Sequence, residues 1–262
     1  MGLLGAALAR ILINNSRFVE RQDAMMEARA TARAAMQSMV SELHGVGDNG
    51  LLGASRDSVT LRVPYAFGMA CRFSGGTTIA SLMPVDSVTY ASAAPEGLAW
   101  RTVGGAYTAI SPVAVASSGN ISQCTADSIR VIPGGKLVAI SGPSVNSNSP
   151  PSGSLMYLYH TVTYKFAPSV DLPGRRGLWR KAGSAGYEEL AAPFDTSAKF
   201  AFLFGPYMRV QVRTSISIQA SRDSVRGLEL RLTGASVTTP PGASRPPRFD
   251  LRSRIAFSNK VY

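Results

Sequence analysis

The pattern of hydrophobic and polar positions changes its period near residue 44. From Ala6 to His44 there is neither Gly nor Pro, and Ala, Met, Glu, Gln, Arg and Leu predominate, residues that lose little on entering a helix. One helix is therefore expected over Gly2 to Leu43, its Gly- and Pro-free part about 58 Å long. Met1 to Ile13 is nearly all apolar, with Arg10 the only charge, whereas 14–44 is amphipathic. Phe18, Met25, Ala28, Ala32, Met36, Met39 and Leu43 recur at spacings of seven, three or four, which places them on one packing stripe. Arg17, Glu20, Arg21, Glu27, Arg29 and Arg33 cover the rest. A coiled-coil seam would hold its a and d positions over several heptads, whereas this stripe is rich in Ala and its spacing drifts.

Gly45-Val46-Gly47-Asp48-Asn49-Gly50 ends the helix. Beyond it the period falls to two. Strands are expected at Ser58 to Val63, Ile79 to Met83, Ile129 to Ile132, Leu137 to Ile140, Met156 to Phe166, Met208 to Ile218, Leu228 to Leu232 and Leu251 to Phe257. Gly75-Gly76, Gly104-Gly105 and Gly134-Gly135 read as hairpin turns. Four Asp-Ser pairs, at Asp57, Asp86, Asp127 and Asp223, each precede Val or Ile, at unequal spacings of 29, 41 and 96, so they form no repeat. Asp-Ser bonding to nearby backbone and launching a strand accounts for them. The expected architecture is α+β: one long helix over 1–44 packed on a mostly antiparallel, two-layer β-rich head over 45–262, with a loop-rich insertion around 141–154.

An apolar run of 13 residues is shorter than the roughly 20 a bilayer-spanning helix needs. It lacks the basic n-region of a cleavable signal. The expectation is that Met1 lies inside a longer hydrophobic segment, of which 1–13 is the trailing, membrane or filament-core part.

Composition adds that charged residues are only 16% of the chain while Ser, Thr, Gly and Pro abound, which suits an extracytoplasmic β protein better than a cytosolic enzyme. The net charge is +11, and only five of the 27 basic residues are Lys. Such a balance can attract nucleic acid or anionic lipid, yet the arginines are scattered along the expected strands and form no basic run with interleaved aromatics. Cys71 and Cys124 form no CxxC, and His44 and His160 are too few to complete a zinc site, so no metal is expected. The two cysteines are either one disulfide, as an oxidising compartment permits, or two buried thiols.

Catalytic patterns are missing from the sequence. There is no G-x-S-x-G elbow, no phosphate- or dinucleotide-binding glycine pattern between strand and helix, and no EF-hand spacing. His160 reads as a buried strand histidine and His44 lies at a helix end. Tyr157, Tyr159, Tyr164 and Phe166 read as sheet core, and Trp100 and Trp179 as core or interface anchors. No cofactor and no catalytic residue are expected, and the chain reads as a structural subunit, not an enzyme.

The half-apolar, half-amphipathic helix containing Ala28-Arg29-Ala30-Thr31-Ala32-Arg33-Ala34-Ala35-Met36-Gln37-Ser38-Met39-Val40-Ser41-Glu42-Leu43, followed by a Gly-rich turn, resembles type IV minor pilins of the PilW kind and type II secretion minor pseudopilins of the GspJ kind. Tyr164-Lys165-Phe166, a turn, and Arg176-Gly177-Leu178-Trp179-Arg180-Lys181 resemble a hairpin of those heads. Val225 to Thr233 and Phe249 to Asn259 resemble their last two strands. The likeness covers about 1–63 and 155–262, and Pro64 to Ser154 lies outside it. It implies a type IV pilin-like fold and a structural role in filament assembly or initiation. The implied partners are other major and minor pilins or pseudopilins through the helix, an inner-membrane assembly platform, and the lipid bilayer before assembly. The implied location is the inner membrane of a Gram-negative bacterium, facing the periplasm, and then an extracellular pilus or periplasmic pseudopilus. The leader, the methylated Phe and the Glu of that family match no position here, and the resemblance implies that about a dozen residues and a leader precede Met1. A pilus-tip adhesin or DNA-binding role for an arginine-rich head surface is the alternative.

Overall fold

In the computed structural model the described residues are 2–86, 90, 95–118, 121–126, 128–145, 148–205, 207–218 and 222–257; side chains are described from residue 10 onward. Helix α1 runs Gly2–His44, and a short α2 spans Ser122–Thr125. The strands are β1 Leu51–Ala54, β2 Ser58–Ser74, β3 Thr77–Leu82, β4 Gly97–Arg101, β5 Tyr107–Ile110, β6 Ala114–Ser117, β7 Leu137–Ser141, β8 Leu155–Pro168, β9 Arg176–Ala182, β10 Glu188–Phe194, β11 Lys199–Phe204, β12 Arg209–Gln211, β13 Val225–Ala235 and β14 Arg248–Ala256.

All fourteen strands belong to one antiparallel sheet, ordered β12-β11-β13-β10-β9-β8-β2-β3-β7-β6, with β14 on β13, β1 on β2, and the β4–β5 hairpin on β8. This corrects the expected pilin-like, two-layer α+β architecture. Strand accounts for 45% of the chain and helix for 18%, so the molecule is a β-sheet protein carrying one N-terminal helix. The difference arises largely from Pro64 to Ser154, whose sequence carries few clear alternations. That stretch supplies the far half of β2 and all of β3 to β7.

The two longest strands explain the architecture. β2 and β8 pair from Ser58↔Lys165 to Met69↔Leu155, with a register shift between Pro64 and Ala66, and their opposite ends serve different cores. Near α1, Val59, Leu61, Val162, Tyr164 and Phe166 join Leu178, Phe200, Phe202, Leu228, Leu230 and Leu232 beneath the helix. At the far end Ala66, Ala70, Met156 and Leu158 pack with Leu82, Leu98, Trp100, Val138 and Ile140. Tyr157 and Tyr159 are buried on the reverse face at that end, so alternation is lost where both faces of β8 are covered.

Several local expectations meet the structure differently. Gly75-Gly76 closes the β2–β3 hairpin with both residues at positive φ, and Gly104-Gly105 lies in the β4–β5 turn, but Gly134-Gly135 turns within a loop before β7. Ile129 to Ile132 forms no strand, and Met208 to Ile218 contributes only β12 and an isolated bridge from Ser215 to Ser55. Asp57 and Asp223 precede β2 and β13; the Asp57 carbonyl accepts the Phe166 N–H and its carboxylate meets Arg176. Ser87, Val88, Asp127, Ser258 and Asn259 lie outside the described residues.

Candidate functional site

α1 has two chemically different halves. From Ala24 onward it lies on the sheet: Ala24, Ala28, Ala32, Ala35, Met39 and Leu43 are buried, Met25 and Met36 are half-buried, and β13, β14 and β10 form the floor. The sequence stripe thus meets the head through all its members except Phe18, which is 59% exposed, and it omits Ala24 and Ala35. Small residues permit close approach. Gly234 of β13 sits so near the helix that a Cβ there would come within 2.2 Å of the Ala28 carbonyl oxygen.

Polar contacts fix the helix's rotation and end. Glu42 accepts three hydrogen bonds: from the Tyr164 hydroxyl at 2.5 Å, from Arg180 Nη2 at 2.7 Å and from Arg180 Nε at 3.4 Å. Tyr164 is fully buried, and burial with the adjacent Glu42 carboxylate pushes its phenol well above the usual range. Near the start of the buried segment, Glu27 accepts from the Ser236 hydroxyl at 2.8 Å and the Val237 N–H at 3.2 Å. Arg29 stacks over Phe249, 5.2 Å from the ring centre.

Residues 10–23 are exposed on every side, a length of about 21 Å at 1.5 Å per residue. Ile11, Leu12, Ile13, Phe18 and Val19 are each roughly half to two-thirds exposed, and Met26 continues the series beside the head. Leu12, Val19 and Met26 are seven residues apart and lie roughly opposite the buried alanines, whereas Ile11 and Phe18 lie about 90° round the helix, in line with Met25 and Met36 of the packing stripe. The Leu12, Val19 and Met26 row is an apolar ridge separate from the face that packs on the sheet. Isolated exposed apolar residues are ordinary, but a contiguous row of large ones marks an interaction surface. Among the described residues no helix is long and apolar enough to cross a membrane.

The remaining candidates are placed as follows. The structure joins Cys71 of β2 to Cys124 of α2 as a disulfide in a small separate core with Ile79. His44 is exposed, and His160 is half-buried, stacked on Tyr65 with ring centres 4.1 Å apart. Burial lowers the His160 pKa. Trp100 is buried in the far core, whereas Trp179 is half-buried and donates to the Pro168 carbonyl at 3.2 Å. Many head arginines have acidic partners: Arg176 with Asp57, Arg180 with Glu42, Arg231 and Arg254 with Glu229, and Arg248 with Asp195. Among the described residues no group of three or more His, Cys, Asp or Glu is placed to hold a metal.

The Glu42–Tyr164–Arg180 clamp is not legible in the sequence because its members are 122 and 138 residues apart. A signal is present nonetheless, since Arg180 alternates with the core residue Leu178 and so occupies a core-facing strand position. No family model, curated protein or solved structure matches this chain.

Proposed function

We propose that the chain is a structural subunit of an extracytoplasmic filament, of the type IV pilus or type II secretion pseudopilus class, that associates through the N-terminal half of α1. The observation that carries this reading is the set of large apolar side chains Ile11, Leu12, Phe18 and Val19, all exposed on the helix segment 10–23. Burying such side chains against other helices contributes roughly 1.5–3 kcal/mol each. The reading rests on the helix, since the head is more strand-rich than the resemblance implies. In an assembled subunit the clamp at Glu42 and the close Ala28–Gly234 contact would hold the head at a set angle to the helix, so that helix packing determines head spacing.

Sedimentation of the full chain in detergent-free buffer tests this. Concentration-dependent self-association that is lost in the Leu12→Ser/Val19→Ser variant supports the reading. Equal association of the two proteins, or a monomer at all concentrations together with unimpaired filament incorporation of the variant, contradicts it.

A further inference from the structure

Three cations stand in line on the sheet face turned away from α1. Lys199 of β11 is directly opposite Arg231 of β13, which is directly opposite Arg252 of β14. Directly paired residues share a sheet face. The other face of β13 belongs to the core through Leu228, Leu230 and Leu232 and meets the helix at Gly234. The three cations line a cavity of about 140 Å³ together with Ser197, Thr233 and Asp250.

Like charges opposite one another destabilise a sheet, and the nearby carboxylates offset only part of this row. Glu229 is shared between Arg231, at 2.5 Å, and Arg254, at 2.8 Å. Asp250 accepts the Thr233 hydroxyl at 2.7 Å. Lys199 and Arg252 have no ion-pair partner among the described residues. A row of repelling cations beside hydroxyl groups, around a space that would hold a few waters, is complementary to one small multivalent anion.

We propose that Lys199, Arg231 and Arg252 form a binding site for a phosphate group, with the Ser197 hydroxyl as a further donor. Bidentate and point-charge donors together suit a tetrahedral oxyanion. The lining offers cations and hydroxyls but no aromatic ring on which a base could stack, so recognition is of the phosphate itself, either free or on a lipid headgroup. This inference is independent of the filament reading.

The test titrates inorganic phosphate into the full chain by calorimetry against chloride at matched ionic strength. A second arm measures co-sedimentation with phosphatidylglycerol vesicles, with phosphatidylcholine vesicles as control. The same measurements are made on Lys199→Gln/Arg252→Gln, whose folding is checked by its melting temperature. Removing the repulsion should leave that temperature equal or higher without phosphate. The expected result is saturable binding to phosphate or to phosphatidylglycerol, weakened at least about 10-fold in the double variant. Phosphate binding alone identifies the free ion, and phosphate-competed vesicle binding identifies the headgroup. Binding in neither arm, or binding unchanged in the folded double variant, overturns the proposal.

Discussion

Replacing Glu42 by Ala should loosen the attachment of α1 by several kilocalories, and the structure indicates how much. The change strands the Tyr164 hydroxyl inside a fully buried side chain, a loss of about 1–3 kcal/mol for an unsatisfied group. It also removes the carboxylate that binds Arg180 through two nitrogens. Breaking a wholly buried pair costs roughly 3–5 kcal/mol, but the Glu42 and Arg180 side chains keep 22% and 25% of their exposure, so water takes over much of that. A residual of about 1 kcal/mol is reasonable for a partly exposed pair. The expected total is about 2–4 kcal/mol. Tyr164→Phe removes the hydroxyl together with its need for a partner and should cost only about 1 kcal/mol. Glu42→Ala combined with Tyr164→Phe should therefore add at least about 1 kcal/mol less than Glu42→Ala costs in the native chain. Urea unfolding followed by tryptophan fluorescence measures all four proteins, with unchanged m-values as the check that unfolding remains two-state. A Glu42→Ala loss below about 0.5 kcal/mol, or additive effects in the cycle, would refute the clamp.

Three other perturbations follow from the same contacts. Gly234→Ala should destabilise by at least about 1–3 kcal/mol, since the added Cβ collides with helix backbone that cannot rotate away; a neutral effect in thermal melting would mean that α1 does not lie so close to β13. Reducing Cys71–Cys124, or replacing both by Ser, should lower stability by roughly 2–4 kcal/mol for a sequence separation of 53, read as a midpoint shift in urea with and without reductant. Acid should act in two stages. His160 is held neutral by desolvation, so its contribution is complete above about pH 6.5 and is lost as pH falls toward its lowered value. Glu229 and Asp195 lose theirs below about pH 4: burial pushes both carboxyls up, but Arg254 and Arg231 around the first, and the Ser197 hydrogen bonds with Arg248 around the second, hold them lower. Melting temperatures that rise on acidification would contradict this sign, and Glu229→Gln should shrink the lower step.

The helix and its head-facing register are legible in the sequence because Ala28, Ala32, Met39 and Leu43 obey a helical period over many turns. Phe18 falls on the same stripe yet is exposed, because periodicity says which residues share a face but not where the supporting sheet ends. Ala24 and Ala35 give no signal, since Ala is equally at home on any helix face. Among the strands, β3 and β7 alternate or run apolar and are readable for that reason. β4, β5 and β6 are only four or five residues long, and a strand whose two faces are both covered carries no period of two. The segment 209–218 is rich in Val and Ile, yet only Arg209–Gln211 forms a strand, with a single bridge from Ser215 to Ser55 beyond it, which shows tertiary pairing overriding β-propensity. The three-cation row depends on cross-strand register between residues tens of positions apart, which composition cannot reveal.

The central claim, that the exposed ridge of α1 joins one subunit to others, is tested most directly by cysteine cross-linking in assembled material. Cysteines placed singly at Leu12 or Val19 lie on the ridge, whereas those at Arg17 or Arg21 lie on the opposite side of the same exposed helix. The native pair is already joined within the buried core and should not compete. Rapid formation of inter-subunit disulfides at positions 12 and 19, with little at 17 and 21, is the predicted result; equal cross-linking at all four positions, or none at 12 and 19, would contradict the account.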